Sequence, residues 1–227
     1  MTQIEPSSAT RLLATRPRGE VELKVATISR TYDTTAEDLW DAVTSAERLP
    51  RWFLPVSGEL REGGRYQFEG NAGGTVQTCA PPHQFSATWE FGGQVSWVQV
   101  RISPDGDGAR LELEHTAEID PANVEQQQFW TQFGPGATGV GWDLALRGLA
   151  LHLDSGEALD PAAYQAWTVS TEGAAFVAEC SRLWGEASIA EGTARADAEA
   201  AAARTTAFYT GQPDPTAPQG EAPHQEG

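Results

Sequence analysis

Residues 110–118 read Arg-Leu-Glu-Leu-Glu-His-Thr-Ala-Glu, and the alternation is unbroken. Leu111, Leu113, His115 and Ala117 fall on one side, and Arg110, Glu112, Glu114, Thr116 and Glu118 on the other. Successive side chains of a strand point to opposite faces, so this is a strand with one dry and one wet face. Two segments upstream repeat the pattern. Phe85, Ala87, Trp89 and Phe91 alternate with Ser86, Thr88 and Glu90, and Val98, Val100 and Ile102 alternate before a Pro104-Asp105-Gly106 turn. Strands of this kind make an antiparallel sheet whose inner face must be covered.

The cover is predicted from Thr138 to Asp154. Trp142, Leu146, Leu149 and Leu153 recur at i, i+4, i+7 and i+11, flanked by Val140, Leu144 and Leu151, which gives a wide apolar arc and a largely buried helix. Asp143 and Arg147 make an i, i+4 pair on the polar side that remains. Earlier, Val21, Leu23 and Val25 start a strand that runs to about Tyr32. Thr34 with Glu37 forms a capping-box signature before a helix carrying Ala36, Leu39, Trp40 and Val43. A short turn over 46–53 follows, and Gly63-Gly64 and Gly73-Gly74 punctuate strands containing Tyr66, Phe68 and residues 75–79. Beyond the long helix, Asp160-Pro161 opens a helical region in which Phe176, Cys180, Leu183, Trp184 and Ala187 recur at helical spacing, and an Ala-rich helix covers about 194–209. The division expected is a flexible arm over 1–19, a folded domain over 20–156, a helical extension over 157–209 and a disordered tail over 210–227.

Thirty-two acidic residues against 15 basic ones give a formal charge of -17, and Lys24 is the only lysine. Nucleic acid and anionic membrane surfaces bind through basic clusters, so both are excluded as expected partners. The first 20 residues lack the apolar run of a signal peptide, no segment approaches the roughly 20 apolar residues of a membrane span, and a cytoplasmic location is expected. Cys79 and Cys180 stand far apart without a CxxC neighbour and are read as ordinary buried thiols. His83, His115, His152 and His224 are scattered, so neither a metal nor a cofactor is expected.

Several of these segments together resemble a known family. They are Ala36 to Thr44, Arg51-Trp52-Phe53, Gly63-Gly64-Arg65-Tyr66, Pro81-Pro82, Trp89, Leu111 to His115, and Gly141-Trp142-Asp143 with its Leu-rich helix. They look like the bacterial homologues of the activator of heat shock protein 90 ATPase, within the START-like (SRPBCC) superfamily, and the resemblance spans about residues 20–155. It implies an α+β helix-grip fold, a curved antiparallel sheet around one long C-terminal helix with an apolar cavity between them.

The function expected on this reading is non-enzymatic binding of a small hydrophobic or amphipathic molecule in that cavity. Phe53, Trp89, Phe91, Trp142 and Leu146 are its candidate walls. The segment Gln126 to Gly139, with Phe129, Trp130 and Phe133, is read as a long loop that either closes its mouth as a lid or simply packs against the domain. His115, aimed inward, is either a polar contact for the ligand, a general base, or a core histidine satisfied by a neighbour. The alternatives are a protein-interaction or co-chaperone-like module, including a homodimer through the 157–209 helices, and a cyclase or hydrolase using His115.

Overall fold

The computed structural model describes residues 4–216. Eight strands form one antiparallel sheet: β1 (Thr10–Arg18), β2 (Val21–Tyr32), β3 (Val56–Gly58), β4 (Arg65–Phe68), β5 (Gly73–Ala80), β6 (Gln84–Phe91), β7 (Gln94–Asp105) and β8 (Gly108–Ile119). Their spatial order is β1-β2-β8-β7-β6-β5-β4-β3. The helices are α1 (Ala36–Thr44), α2 (Val124–Phe133), α3 (Gly136–Ser155), α4 (Pro161–Thr168), α5 (Thr171–Ala190) and α6 (Arg195–Thr210). The sheet curves around α3, which is the helix-grip arrangement.

The alternation of residues 110–118 sets the register of the centre. In β8, Leu111, Leu113 and His115 stand opposite Ile102, Val100 and Val98 of β7 and opposite Arg30, Ile28 and Ala26 of β2. Ile28, Val100, Ile102, Leu111 and Leu113 are buried, and they meet Val140, Leu146 and Leu149 of α3 in one core. Helix α1 closes one end of it with Leu39 and Ala42. Its N-cap is Thr35, whose side chain accepts from the Asp38 amide, one residue later than the capping-box reading. Asp160 caps α4 as its sequence signature indicated.

Three expectations fail. Residues 10–18 are not a loose arm, because they pair along the whole of β1 with β2 and form a sheet edge. Residues 124–133 are a helix rather than part of a long loop, capped by Asn123 and packed on α6. Asp143 and Arg147 do not pair with each other on a solvated face. Asp143 is buried against Arg11 of β1, with Arg11 Nε at 3.2 Å from its Oδ2, and Trp184 of α5 donates its indole N–H to the same carboxylate at 2.9 Å. Arg147 lies buried on the Trp167 ring, 3.4 Å from its centroid. Helix α3 is therefore enclosed on both sides, by the sheet and by α5.

The apolar stripe of the extension docks in cis. Phe176, Val177, Cys180 and Trp184 belong to the same buried core as α3 and the sheet. Of the tail expected over 210–227, Thr210 ends α6, and residues from 217 onward lie outside the described residues.

Candidate functional site

A cavity of about 250 Å³ lies between the curved sheet, α1 and the first half of α3. Eight of its lining residues are aromatic: Trp40, Trp52, Phe53, Tyr66, Phe68, Phe85, Trp89 and Trp142. Each arrives for a local reason. Tyr66 and Phe68 are the inward positions of β4, and Phe85, Ala87 and Trp89 those of β6. Trp52 and Phe53 follow the short turn Leu49–Arg51, and Trp142, Ala145 and Leu146 form one face of α3. Phe53, Phe68, Trp89 and Trp142 touch in a ring, with centroid separations of 5.0 Å (Phe53–Phe68), 5.8 Å (Phe68–Trp89), 5.1 Å (Trp89–Trp142) and 6.3 Å (Phe53–Trp142).

The polar edges of three of these wall residues are turned into the protein. Trp52 donates to the Ala42 carbonyl at 2.9 Å, Tyr66 donates to the Thr88 carbonyl at 2.6 Å, and Trp142 donates to His115 Nδ1 at 3.0 Å. Buried indole and phenol groups need such partners, and with these satisfied the apolar parts of the rings are free to line the cavity. Burial pushes the Tyr66 phenol up to about 12, so it stays neutral. Cys79 also reaches the lining, and burial and the nearby Glu62 push its thiol up, which keeps it protonated rather than nucleophilic.

His115 sits behind Trp89 and Trp142, with ring centroids 6.2 and 5.9 Å away. Its Nδ1 accepts from Trp142, so the proton is on Nε2, which donates to Ser96 Oγ at 2.8 Å; Ser96 in turn donates to the Trp89 carbonyl at 3.1 Å. Burial drives the imidazole down to about 4, because the charged form would lose its hydration. Both ring nitrogens are engaged and the ring is neutral at physiological pH. This geometry makes His115 a strut that orients two wall tryptophans.

Of the residues expected at the site, Phe53, Trp89, Trp142 and Leu146 line the cavity, and His115 supports it. Phe91 does not reach it. It is the last residue of β6, beside the Gly92-Gly93 turn, and is 57% exposed. Trp130 and Phe133 do not reach it either. Trp130 lies under the Lys24 ammonium, and Phe133 packs against Phe129 and Phe208 of α6, so α2 is no lid over this cavity. Trp40, Trp52, Tyr66, Phe68 and Phe85 were missed as wall residues, although the parity that places Trp89 inward also places Phe85, Tyr66 and Phe68 there. Among the described residues, no three His, Cys, Asp or Glu side chains converge where they could hold a metal ion, and no helix is long and apolar enough to cross a membrane.

Residues 33–154, more than half of the chain, match the family described as activator of Hsp90 ATPase homolog 1-like protein. The chain belongs to that family. Among solved structures, it is similar to CalU16 from Micromonospora echinospora. The crystal structure of CalU16 is 31% identical over 76% of this chain and 98% of that one, with a TM-score of 0.54. The solution structure of CalU16 is 29% identical over 84% of this chain and all of that one, with a TM-score of 0.66. That coverage is more than the family segment alone supplies, so part of what flanks it here is shared with CalU16. The protein SA2116 from Staphylococcus aureus, 16% identical over 61% of this chain and 98% of that one with a TM-score of 0.51, shares the fold. No curated protein matches the chain.

Proposed function

We propose that this member of the family is a non-enzymatic binding protein for a compact, largely apolar molecule held between the sheet and α3. The observation that carries the reading is the cavity wall, eight aromatic residues around about 250 Å³. Protein interiors are normally packed with few voids larger than a water molecule. A space of this size is near the lower end of small-molecule pockets, about 300–1,000 Å³, which supports a compact ligand. The absence of catalysis is supported by His115, whose ring nitrogens are both occupied inside the wall.

Native mass spectrometry of gently purified protein, beside a denaturing measurement, tests the proposal. A stoichiometric mass lost on denaturation is expected and identifies the ligand class. A thermal-shift panel of compact aromatic and aliphatic compounds is the second arm, since a ligand that binds only the folded state raises the melting temperature. Bare protein in the first arm and no shift in the second would sink the reading.

A further inference from the structure

On the face of α3 turned toward α5, away from the cavity, the charges do not balance. Arg11 and Asp143 neutralise one another, and Trp184 adds a third bond to that carboxylate. Two guanidinium groups are left over. Arg147 is buried, 9% exposed, and its surroundings are the ring faces of Trp167 at 3.4 Å, Tyr164 at 5.5 Å and Phe176 at 5.7 Å, with the Tyr164 phenol beside it. Arg30 of β2 faces the same way as Ile28 and Tyr32. It lies over the Tyr32 ring at 5.7 Å, and the Tyr32 hydroxyl donates to the carbonyl of Leu146, the residue before Arg147. Among the described residues neither Arg30 nor Arg147 has a carboxylate within 4 Å.

Two further details point to something bound there. Arg30 Nε and the indole Nε1 of Trp167, the ring that Arg147 stacks on, are both buried donors without a partner. Burial holds Arg30 below its usual range; Tyr32 and Asp143 favour its charge, and Arg11 and Arg147 disfavour it. In a chain of net charge -17 with 32 carboxylates, leaving two neighbouring guanidinium groups without a carboxylate, Arg147 having only the Tyr164 phenol, is costly unless a negative group meets them. The planar guanidinium fork is matched to oxyanions such as carboxylate and phosphate.

We propose that Arg30, Arg147 and the Trp167 N–H form a binding site for a compact oxyanion at the junction of the sheet, α3 and the helical extension, separate from the apolar cavity. Arg30 and Trp167 are only partly buried as whole residues, but Arg30 Nε and Trp167 Nε1 are themselves closed off from solvent, so the anion reaches them past the exposed parts of these side chains.

The test is isothermal titration of the full-length protein with inorganic phosphate, and separately with sulfate, ionic strength being held constant with sodium chloride. Saturable binding is expected, together with a melting temperature that rises and levels off. R147Q and R30Q should each weaken the phosphate affinity at least tenfold. R30Q is the decisive variant if R147Q does not fold, because Arg30 is the more exposed of the two. No saturable binding to the wild type overturns the proposal, and so does saturable binding that both folded variants retain. Neither result bears on the cavity, whose ligand is read by the mass measurement above.

Discussion

The indole N–H of Trp142 donates to Nδ1 of His115, and this contact decides what the histidine can do. Protonation would place a second N–H on the ring, facing the indole donor, so the folded state resists it, and burial adds to the resistance. The folded value is about 4 and the ordinary one 6.5. Between these pH values the unfolded chain takes up a proton that the folded chain refuses. Stability from this group is therefore fully present above about pH 6.5 and is lost as pH falls toward 4, by about 3 kcal/mol in all. Carboxylates titrate in part of the same range, so the comparison is with H115Q, whose amide can accept from Trp142 and donate to Ser96. The difference between the two stability curves should slope between pH 6.5 and 4. Parallel curves would show that His115 is not held neutral.

The cavity and an ordinary core respond oppositely to filling. Ala145 faces the cavity from α3, and leucine is nearly as good a helix former as alanine. A145L should raise stability by about 1 kcal/mol through the buried methyl groups and weaken any ligand found by mass spectrometry. Chemical denaturation and a binding titration check the two halves. In a packed core the same substitution would destabilise by about 1–3 kcal/mol, and that outcome would remove the cavity.

Truncation gives the complementary result. Trp89 touches Phe68, Trp142 and the His115 ring, so W89A should abolish ligand binding while the fold persists with reduced stability. A circular-dichroism melt alongside the titration separates the effects. Binding that survives in folded W89A would place the ligand elsewhere.

What was legible in the sequence is what period alone encodes. The alternation of 85–91, 98–102 and 110–118 gave the sheet and its inner face, and the apolar arc of 138–154 gave the helix that the sheet grips. Phe91 shows where the rule stops, since parity continues one step past the part of β6 that anything covers. Strand β1 was invisible because it is a sheet edge with little alternation, held by pairing with β2, by packing on α5 and by one buried arginine. Asp143 was assigned to Arg147 because a partner four residues away is the local default. The partner it has, Arg11, lies 132 residues away. The weak pattern of α2, which buries none of its residues completely, hid that helix, although Asn123 was an available capping signal.

The Arg11–Asp143 pair should behave as a buried ion pair, in which loss of one partner strands the other. R11M leaves the buried Asp143 carboxylate without its ion-pair partner, with the Trp184 N–H still bonded to it, and should cost about 3–5 kcal/mol. D143N keeps the shape, leaves Arg11 uncompensated and should cost a similar amount. Replacing both, R11M with D143L, should recover a large part of that loss because neither member of the pair is then left without the other. A double-mutant cycle in urea measures the coupling. Additive costs would mean that the two groups do not act as a pair.

The same carboxylate holds the Trp184 indole, and that position explains a glycine inside α3. A β-carbon at Gly139 would meet the Trp184 ring at 2.3–2.6 Å, well inside contact distance. Helices α3 and α5 therefore approach each other only because residue 139 has no side chain. On helix propensity alone, G139A should stabilise by about 1 kcal/mol. The clash should reverse that sign and give a net loss of about 1–3 kcal/mol as α5 is pushed away from the core. Pairing G139A with W184L separates the two terms, since the smaller side chain leaves room for the methyl group. In the W184L background the alanine should be neutral or stabilising. A G139A protein as stable as the parent in the wild-type background would show that α5 does not pack against α3 at this point.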